Sequence, residues 1–290
     1  MSIRKAKFAG SWYSNDPKTL KEQISNLLSK AERKIELPIK ALICPHAGYK
    51  HSAPTAAQAW KNIDPKTQKI KRVFILGPSH KKHLETCCIS CMSAYETPFG
   101  TIKVDQKTIT ELSKYHEFFP LTEKVEQNEH SLELQLPFIV HVLGTEVEIV
   151  PMMVGHLSED EKQRCGEILS SYLKDENTLF VISSDFCHWG SRFHFTTLPD
   201  KSIPIWQAIQ KLDRMGMNAI ESLNPKNFYD YLDKWGTTIC GRNPISVLLN
   251  AVDSKSQEMK FVHYDQSSKV MTNSDSSVSY AAGCLYEKKN

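Results

Sequence analysis

Four side chains that could bind a metal ion or transfer protons follow short apolar runs. His46 follows "KALIC" in "PHAGY", His80 follows "RVFIL" in "GPSH", and Asp185 and His188 follow "LFVIS" in "SDFCH". Imidazoles and carboxylates are the usual metal ligands and general acids or bases of proteins. One histidine after a strand is more often an ordinary turn residue. The functional interpretation therefore requires that the three strand ends meet.

The alternation of strand-like and helix-like segments predicts that they do meet. Strands are predicted over 40–44, 72–76, 147–154, 179–183 and 277–286, and helices over 130–143 and from about residues 17, 159, 205, 225 and 244. Such alternation is typical of a largely parallel sheet with helices on both faces. Ligands of these sheets bind outside the carboxyl ends of the strands. The sequence thus predicts one α/β domain over 1–290, with a site at that edge.

Cys240 is a further candidate, because it stands just before a helix whose start is marked by Asn243 and Pro244. A helix N-terminus and the neighbouring Arg242 should both favour the thiolate, which is the form that binds metals and attacks electrophiles. A buried, inert thiol is an equally good interpretation of this local sequence.

His130 and Glu133 lie three residues apart in "EHSLELQLPF", which places them on one face of the predicted helix. The pair could support a metal ligand from behind. It could equally form a hydrogen bond at the surface.

Composition excludes several classes of protein. The formal net charge of +3 over 290 residues is too small to indicate nucleic-acid binding. No apolar run approaches the length of a membrane span, and the N-terminus lacks a signal-peptide pattern. We therefore expect a cytoplasmic protein, with the nucleus as a second location.

Eight cysteines in a chain of this size do not indicate a disulfide framework. Cys88 and Cys91 form one C-x-x-C, but no second pair accompanies it. We therefore expect free, half-buried thiols there rather than a structural zinc site.

Seven motifs occur in an order and spacing that resemble the Memo family, named for a mediator of ErbB2-driven cell motility. They are "AGSWY" (9–13), "PHAGY" (45–49), "GPSH" (77–80), "EHSLELQLPF" (129–138), "SSDFCHWG" (183–190), "ICGRNPI" (239–245) and "DSSVSYAAG" (275–283). The resemblance implies a fold similar to that of class III extradiol dioxygenases, which hold non-haem iron with two histidines and a carboxylate. It does not imply dioxygenase turnover.

The resemblance also implies a ligand set of His46, His80 and Cys240 for iron or copper, with Asp185 and His188 beside it. Cys240 would stand where the dioxygenases have a carboxylate. A thiolate is softer than a carboxylate, so the set should accept Cu(I) as well as iron or zinc. His188 could serve as the acid or base, oriented by Asp185.

Phosphotyrosine peptides of receptors are the partners that the resemblance implies, bound over the same cleft with Trp12. His51 stands where many members have an aromatic residue, which should weaken stacking on the peptide. Arg192 and Arg242 follow the two cleft motifs and match phosphate oxygens with paired donors.

Three functions are compatible with these residues. The first is a metal-binding redox protein, and the second is an adaptor that binds phosphotyrosine peptides without turnover. The third is a hydrolase with Cys240 as nucleophile, His188 as base and Asp185 as the orienting acid. The third lacks a recognisable nucleophile motif and ranks last.

Overall fold

A computed structural model of the chain describes residues 2–289. The helices are α1 Pro17–Lys30, α2 Tyr49–Trp60, α3 Gln106–Leu112, α4 Glu123–Asn128, α5 Leu136–Leu143, α6 Glu159–Lys174, α7 Ile205–Glu221, α8 Pro225–Trp235 and α9 Arg242–Ala251. The strands are β1 Ile3–Arg4, β2 Ile39–Cys44, β3 Arg72–Pro78, β4 Cys87–Ile89, β5 Ala94–Thr97, β6 Gly100–Lys103, β7 Phe118–Pro120, β8 Glu148–Val154, β9 Thr178–Ser183, β10 His188–Trp189, β11 Gln257–Gln266 and β12 Ser277–Glu287.

The main sheet has the order β10-β12-β2-β9-β3-β8-β4-β7, and β11 pairs with β12. Its four central strands, β2, β9, β3 and β8, are parallel neighbours. On either side of them, β12 and β4 pair antiparallel, so the complete sheet is mixed. The predicted α/β class is confirmed. The four central strands form the continuous run of parallel neighbours that the prediction expected.

Both faces of the central sheet are buried. Successive residues of β2 alternate between the two apolar cores, with Leu42 in one and Ala41 and Ile43 in the other. Helices α1, α2 and α5 cover the first face, while α6, α7 and α9 cover the second. This is the reason that the central strands have almost continuous apolar sequences.

Helix starts follow the predicted signals in α1 and α6. Asp16 caps α1 by accepting a hydrogen bond from the amide of Thr19, with Pro17 in the first turn. Ser158 and Glu161 form a reciprocal capping box at α6.

Two predicted elements differ in the structure. The helix expected over 130–143 begins as a 3-10 turn at Glu133–Gln135 and becomes α-helical only at Leu136. Helix α9 begins at Arg242, two residues before Pro244. Strand β11 was not predicted. In residues 2–289 we find no helix with the length and apolar content of a membrane span.

Candidate metal centre

The ends of β2 and β3 bring His46 and His80 together. Both strands flank β9 in parallel, so their carboxyl ends lie at one edge of the sheet. Each histidine stands two residues beyond its strand, and the ring centroids are 5.1 Å apart. The expected meeting of these two strand ends is confirmed.

A third imidazole, His130, completes a histidine cluster with His46 and His80. Its ring centroid lies 5.4 Å from that of His46 and 4.4 Å from that of His80. One possible ligand atom from each ring lies within 4.8 Å of the other two. The sequence predicted only a supporting role for His130, whereas the structure places it inside the cluster.

Hydrogen bonds fix the tautomer of His46. The Ser183 hydroxyl donates its single proton to the backbone carbonyl of Ser131 at 2.6 Å. It accepts a hydrogen bond from the side-chain amide of Gln135 at 2.9 Å. It also lies 2.8 Å from His46 Nδ1, which must then be the donor. The Nε2 atom of His46 is left with its lone pair, the state required of a metal ligand.

Glu129 fixes His80 in a similar way. Its Oε1 accepts from His80 Nδ1 at 2.8 Å, and its Oε2 accepts from the backbone amide of His80 at 2.5 Å. Burial alone would raise the pKa of Glu129, but its hydrogen bond with His80 and its electrostatic interactions with His80 and His130 lower the pKa to about 2. An ionised carboxylate behind an imidazole orients the ring and raises its basicity toward a metal.

His130 has a buried nitrogen without a partner. No described residue forms a hydrogen bond with its Nδ1. Glu129 Oε1 is 3.4 Å away but already accepts from His80 Nδ1 and from the amides of His130 and Ser131. Burial, followed by repulsion from His46 and His80, lowers the pKa of His130 to about 3. A neutral, incompletely bonded imidazole among two others is suited to receive a cation.

Cys240 lies against His46, with Sγ 3.2 Å from Nε2. Its sulfur also accepts the backbone N–H of Asp185 at 3.2 Å. Of the two interpretations of this residue, the geometry favours the buried thiol over a ready thiolate. Burial and then the Asp185 carboxylate raise the pKa of Cys240 well above its ordinary value.

Arg242 is the first residue of α9, and its charge, after burial, lowers the pKa of His156. Cys240 precedes the first residue of α9 by two positions. Its burial beside a carboxylate therefore outweighs the helix end.

Asp185 and His188 both lie at the cluster but do not form the expected pair. Asp185 Oδ1 accepts from the backbone amide of His46 at 2.9 Å, so it holds the turn after β2. His188 Nδ1 faces the carbonyls of Phe186 at 2.9 Å and Thr238 at 3.2 Å. Backbone oxygens, rather than Asp185, orient this ring and leave its Nε2 as the acceptor. The hydrolase arrangement gains no support from this geometry.

Glu133 does not contact the histidines and instead anchors the N-terminal segment. Its carboxylate accepts from Arg4 Nη1 at 2.5 Å, from the amide of Phe8 at 2.7 Å and from Tyr13 OH at 2.9 Å. Both members of the ion pair are buried. Trp12 belongs to this segment, and its ring lies 4.5 Å from that of His130. Glu133 therefore contributes to the cluster indirectly, by holding the segment that carries Trp12.

Arg192 and His51 are two of the other residues that were predicted to bind a peptide. Arg192 stacks over Phe193 at 5.6 Å, and Phe193 contacts the ring of His188 at 5.2 Å. His51 is exposed in the first turn of α2. Trp12 thus borders the histidine cluster, whereas Arg192 is connected to His188 through Phe193.

Glu129 and Ser183 were missed by the sequence interpretation. Ser183 is the last residue of β9, between the two histidine-bearing strands, and that position was the available signal. Glu129 could have been noticed as an acid next to His130. Its real partner, His80, is 49 positions away.

Comparisons with known proteins agree with this architecture. A sequence profile described as "Memo-like protein" matches residues 4–284. The chain is 45% identical to the protein memo-1 homolog of Caenorhabditis elegans, over 99% of this chain and 83% of that protein. It is 44% identical to MEMO1 of Xenopus laevis and 42% identical to MEMO1 of Homo sapiens, over 97% of both chains in each case.

A solved structure shares the fold at low sequence identity. It is that of an uncharacterised protein from Escherichia coli K12, with a TM-score of 0.56 and 14% identity, covering 83% of this chain and 98% of that one. This likeness concerns the fold alone. The profile match and the relatives establish that the chain belongs to the Memo family.

Proposed function

We propose that this protein binds a redox-active metal ion, iron or copper, among His46, His80 and His130, with Cys240 as a sulfur donor. The observation that carries the proposal is the histidine cluster, whose candidate ligand atoms lie within 4.8 Å of one another. The bonding of His46 and His80 supports it, because each ring uses Nδ1 behind the site and keeps Nε2 for a ligand.

The position of Cys240 supports its inclusion. Donors that share one ion at about 2.0 Å for nitrogen and about 2.3 Å for sulfur lie roughly 3 to 3.6 Å apart. The separation of 3.2 Å between Cys240 Sγ and His46 Nε2 falls in that range. A metal ion would displace the thiol proton, which the buried sulfur otherwise keeps. Imidazole together with thiolate suits copper, iron and zinc.

Bound iron or copper would supply one-electron chemistry at this edge of the sheet. The contribution of the chain itself is proton handling beside the ion. His188 donates through Nδ1 to backbone oxygens, so its Nε2 is free to accept a proton. Dioxygenase turnover is not part of the proposal.

The test is metal analysis of protein purified without added metals or chelators, followed by titration with Fe(II) and Cu(I). His46→Ala, His80→Ala, His130→Ala and Cys240→Ser should each weaken binding strongly. Cys88→Ser and Cys91→Ser are matched controls and should bind as the wild type does. Unchanged affinity in the histidine variants would refute the site.

A second candidate is an adaptor that binds phosphotyrosine peptides in cell-motility signalling. The position of Trp12 supports it, since this partly exposed ring lies 4.5 Å from that of His130 in the cluster. Peptide titration of metal-free and metal-loaded protein, together with oxygen consumption, separates the two functions. Metal-independent peptide binding without oxygen chemistry would favour the adaptor.

A cytoplasmic location accompanies either function. All eight cysteines are free thiols, including Cys88 and Cys91. Free thiols in this number are typical of a reducing compartment. Fluorescence microscopy of the tagged protein, with a nuclear marker, tests the location.

A further inference from the structure

A basic groove of about 870 Å³ runs beside the histidine cluster. Three separate segments form it: the residues after β1, the residues after His80, and α4 with the residue before it. Its lining includes four lysines and two apolar side chains: Lys7, Lys81, Lys82, Lys124, Phe8 and Val125.

The four lysines are not neutralised by the protein. None of them forms an ion pair with any described residue, and all four are exposed. Lys7 Nζ donates a hydrogen bond only to a neutral group, the side-chain carbonyl of Asn128. No acidic residue lines the groove. The groove therefore presents four ammonium groups to solvent.

Glu123, at the start of α4, is exposed but does not line the groove, and the two other nearby glutamates point into the protein. Glu126 is buried and accepts from the amide of Cys91 at 3.0 Å and from the hydroxyls of Ser90 and Tyr95. The Glu129 carboxylate accepts hydrogen bonds from Nδ1 and the backbone amide of His80, as described above. The uncompensated charge is thus a property of this surface and must be met from outside.

Phe8 links the groove to the histidine cluster. Its ring lies 5.8 Å from that of His130 and 5.7 Å from that of Trp12. Lys81 and Lys82 directly follow His80 in the chain. A ligand in the groove would therefore pass along the exposed side of His80.

We propose that this groove binds an acidic peptide segment of a partner protein, with carboxylates on the lysines and an apolar side chain on Phe8 and Val125. Lysine ammonium groups are separate point charges, without the paired donors that arginine offers to one phosphate or carboxylate. Four of them on three segments suit a series of anionic groups better than a single anion. The volume of the groove is within the range that is usual for ligand-binding pockets of proteins.

This inference goes beyond metal binding and does not require a metal. It also differs from the phosphotyrosine site, because it uses none of Trp12, His51, Arg192 and Arg242. The two kinds of peptide binding can therefore fail separately. Arg192→Ala should weaken a phosphotyrosine peptide and leave the acidic peptide bound.

The experiment is fluorescence anisotropy of the full chain with a short labelled peptide in which Glu and Leu alternate. Surface ion pairs contribute modestly, so Lys81→Glu with Lys82→Glu should weaken binding by roughly tenfold or more through lost attraction and added repulsion. The matched control is Lys66→Glu with Lys69→Glu, the same charge change at exposed lysines before β3. It should leave the affinity within about twofold. Raising the salt concentration should weaken the wild type and not the charge-reversed groove variant.

Three results would overturn the proposal. The first is equal loss of binding in the groove and control variants, which would indicate a general charge effect. The second is displacement of the peptide by citrate at an equal concentration of carboxylates, which would indicate a small-anion site. The third is tighter binding of an oligonucleotide than of the peptide, again dependent on Lys81 and Lys82.

Discussion

Glu129 and Asp213 are both buried carboxylates, but their surroundings shift their pKa values in opposite directions. Glu129 is 1% exposed and its pKa is lowered to about 2, whereas Asp213 is fully buried and its pKa is raised to about 6. Burial by itself raises the pKa of both carboxylates. Glu129 is additionally hydrogen-bonded to His80 and close to His130, which favour its ionised form.

Asp213 lies on α7 among neutral groups. It accepts from the backbone amide of Cys187 at 3.2 Å and from Tyr264 OH at 2.8 Å. Neutral donors, which are the hydroxyls of Ser279 and Tyr264 and the amide of Cys187, do not compensate the desolvation of a charge, so burial determines the pKa. Asp213 anchors the segment that carries His188, while Glu129 tunes an imidazole. The comparison shows that a buried acid beside histidines indicates a cation site, and one among neutral donors indicates an anchor.

The largest expected effect is on the pH dependence of stability at Asp213. A raised pKa in the folded state means that the stabilisation is complete below about pH 4 and is lost as the pH rises through about 6. The free energy of unfolding of the wild type should therefore fall by about 3 kcal/mol relative to Asp213→Asn between pH 4 and 7. Urea denaturation of both proteins across this range measures the difference. A difference that does not change with pH would show that Asp213 is not buried as described.

The next effect concerns the metal. Removing the negative charge behind His80 with Glu129→Gln should weaken Fe(II) or Cu(I) binding by roughly 10- to 100-fold, because the ring loses basicity and orientation. Asp213→Asn is the control and should bind metal as tightly as the wild type. Competition titration with a chelator of known affinity measures both. If the two variants had the same affinity, the contrast between the carboxylates would be lost.

The smallest effect is expected at Tyr264. Tyr264→Phe removes one hydrogen bond to Asp213 and should lower the free energy of unfolding by about 1 kcal/mol at neutral pH. It should also raise the pKa of Asp213 further, moving the pH dependence to higher values. Tyr172→Phe, which removes a hydrogen bond to Glu111 nearer the surface, is a matched control. An equal or larger loss in that control would argue against a special role for Tyr264.

Local sequence patterns predicted the part of the site that lies at the ends of the central strands. Strands β2, β3 and β9 are short apolar runs, and parallel neighbours bring their ends together, so His46 and His80 could be placed in advance. Burial of both faces explains why those runs were easy to recognise.

The rest depends on contacts between distant positions. His130 joins the cluster from a turn and not from a strand end. Glu133 was paired with His130 as support for a metal ligand or as a surface hydrogen bond, but its ion pair with Arg4 spans 129 positions. Asp213 resembles any polar residue of a helix and is buried partly by β11, the strand that was not predicted. The local sequence left the state of the Cys240 thiol open, because it shows the helix start but not how deeply the sulfur is buried.

The central claim, a metal ion held by the histidine cluster and Cys240, is tested most directly by X-ray absorption spectroscopy. With Zn²⁺ as the probe ion, we expect imidazole nitrogens at about 2.0–2.1 Å and one sulfur at about 2.3 Å. The sulfur contribution should disappear in Cys240→Ser and persist in Cys91→Ser, while His130→Ala should reduce the nitrogen shell. A spectrum without imidazole scattering, or one that the Cys240 and histidine variants leave unchanged, would contradict the account.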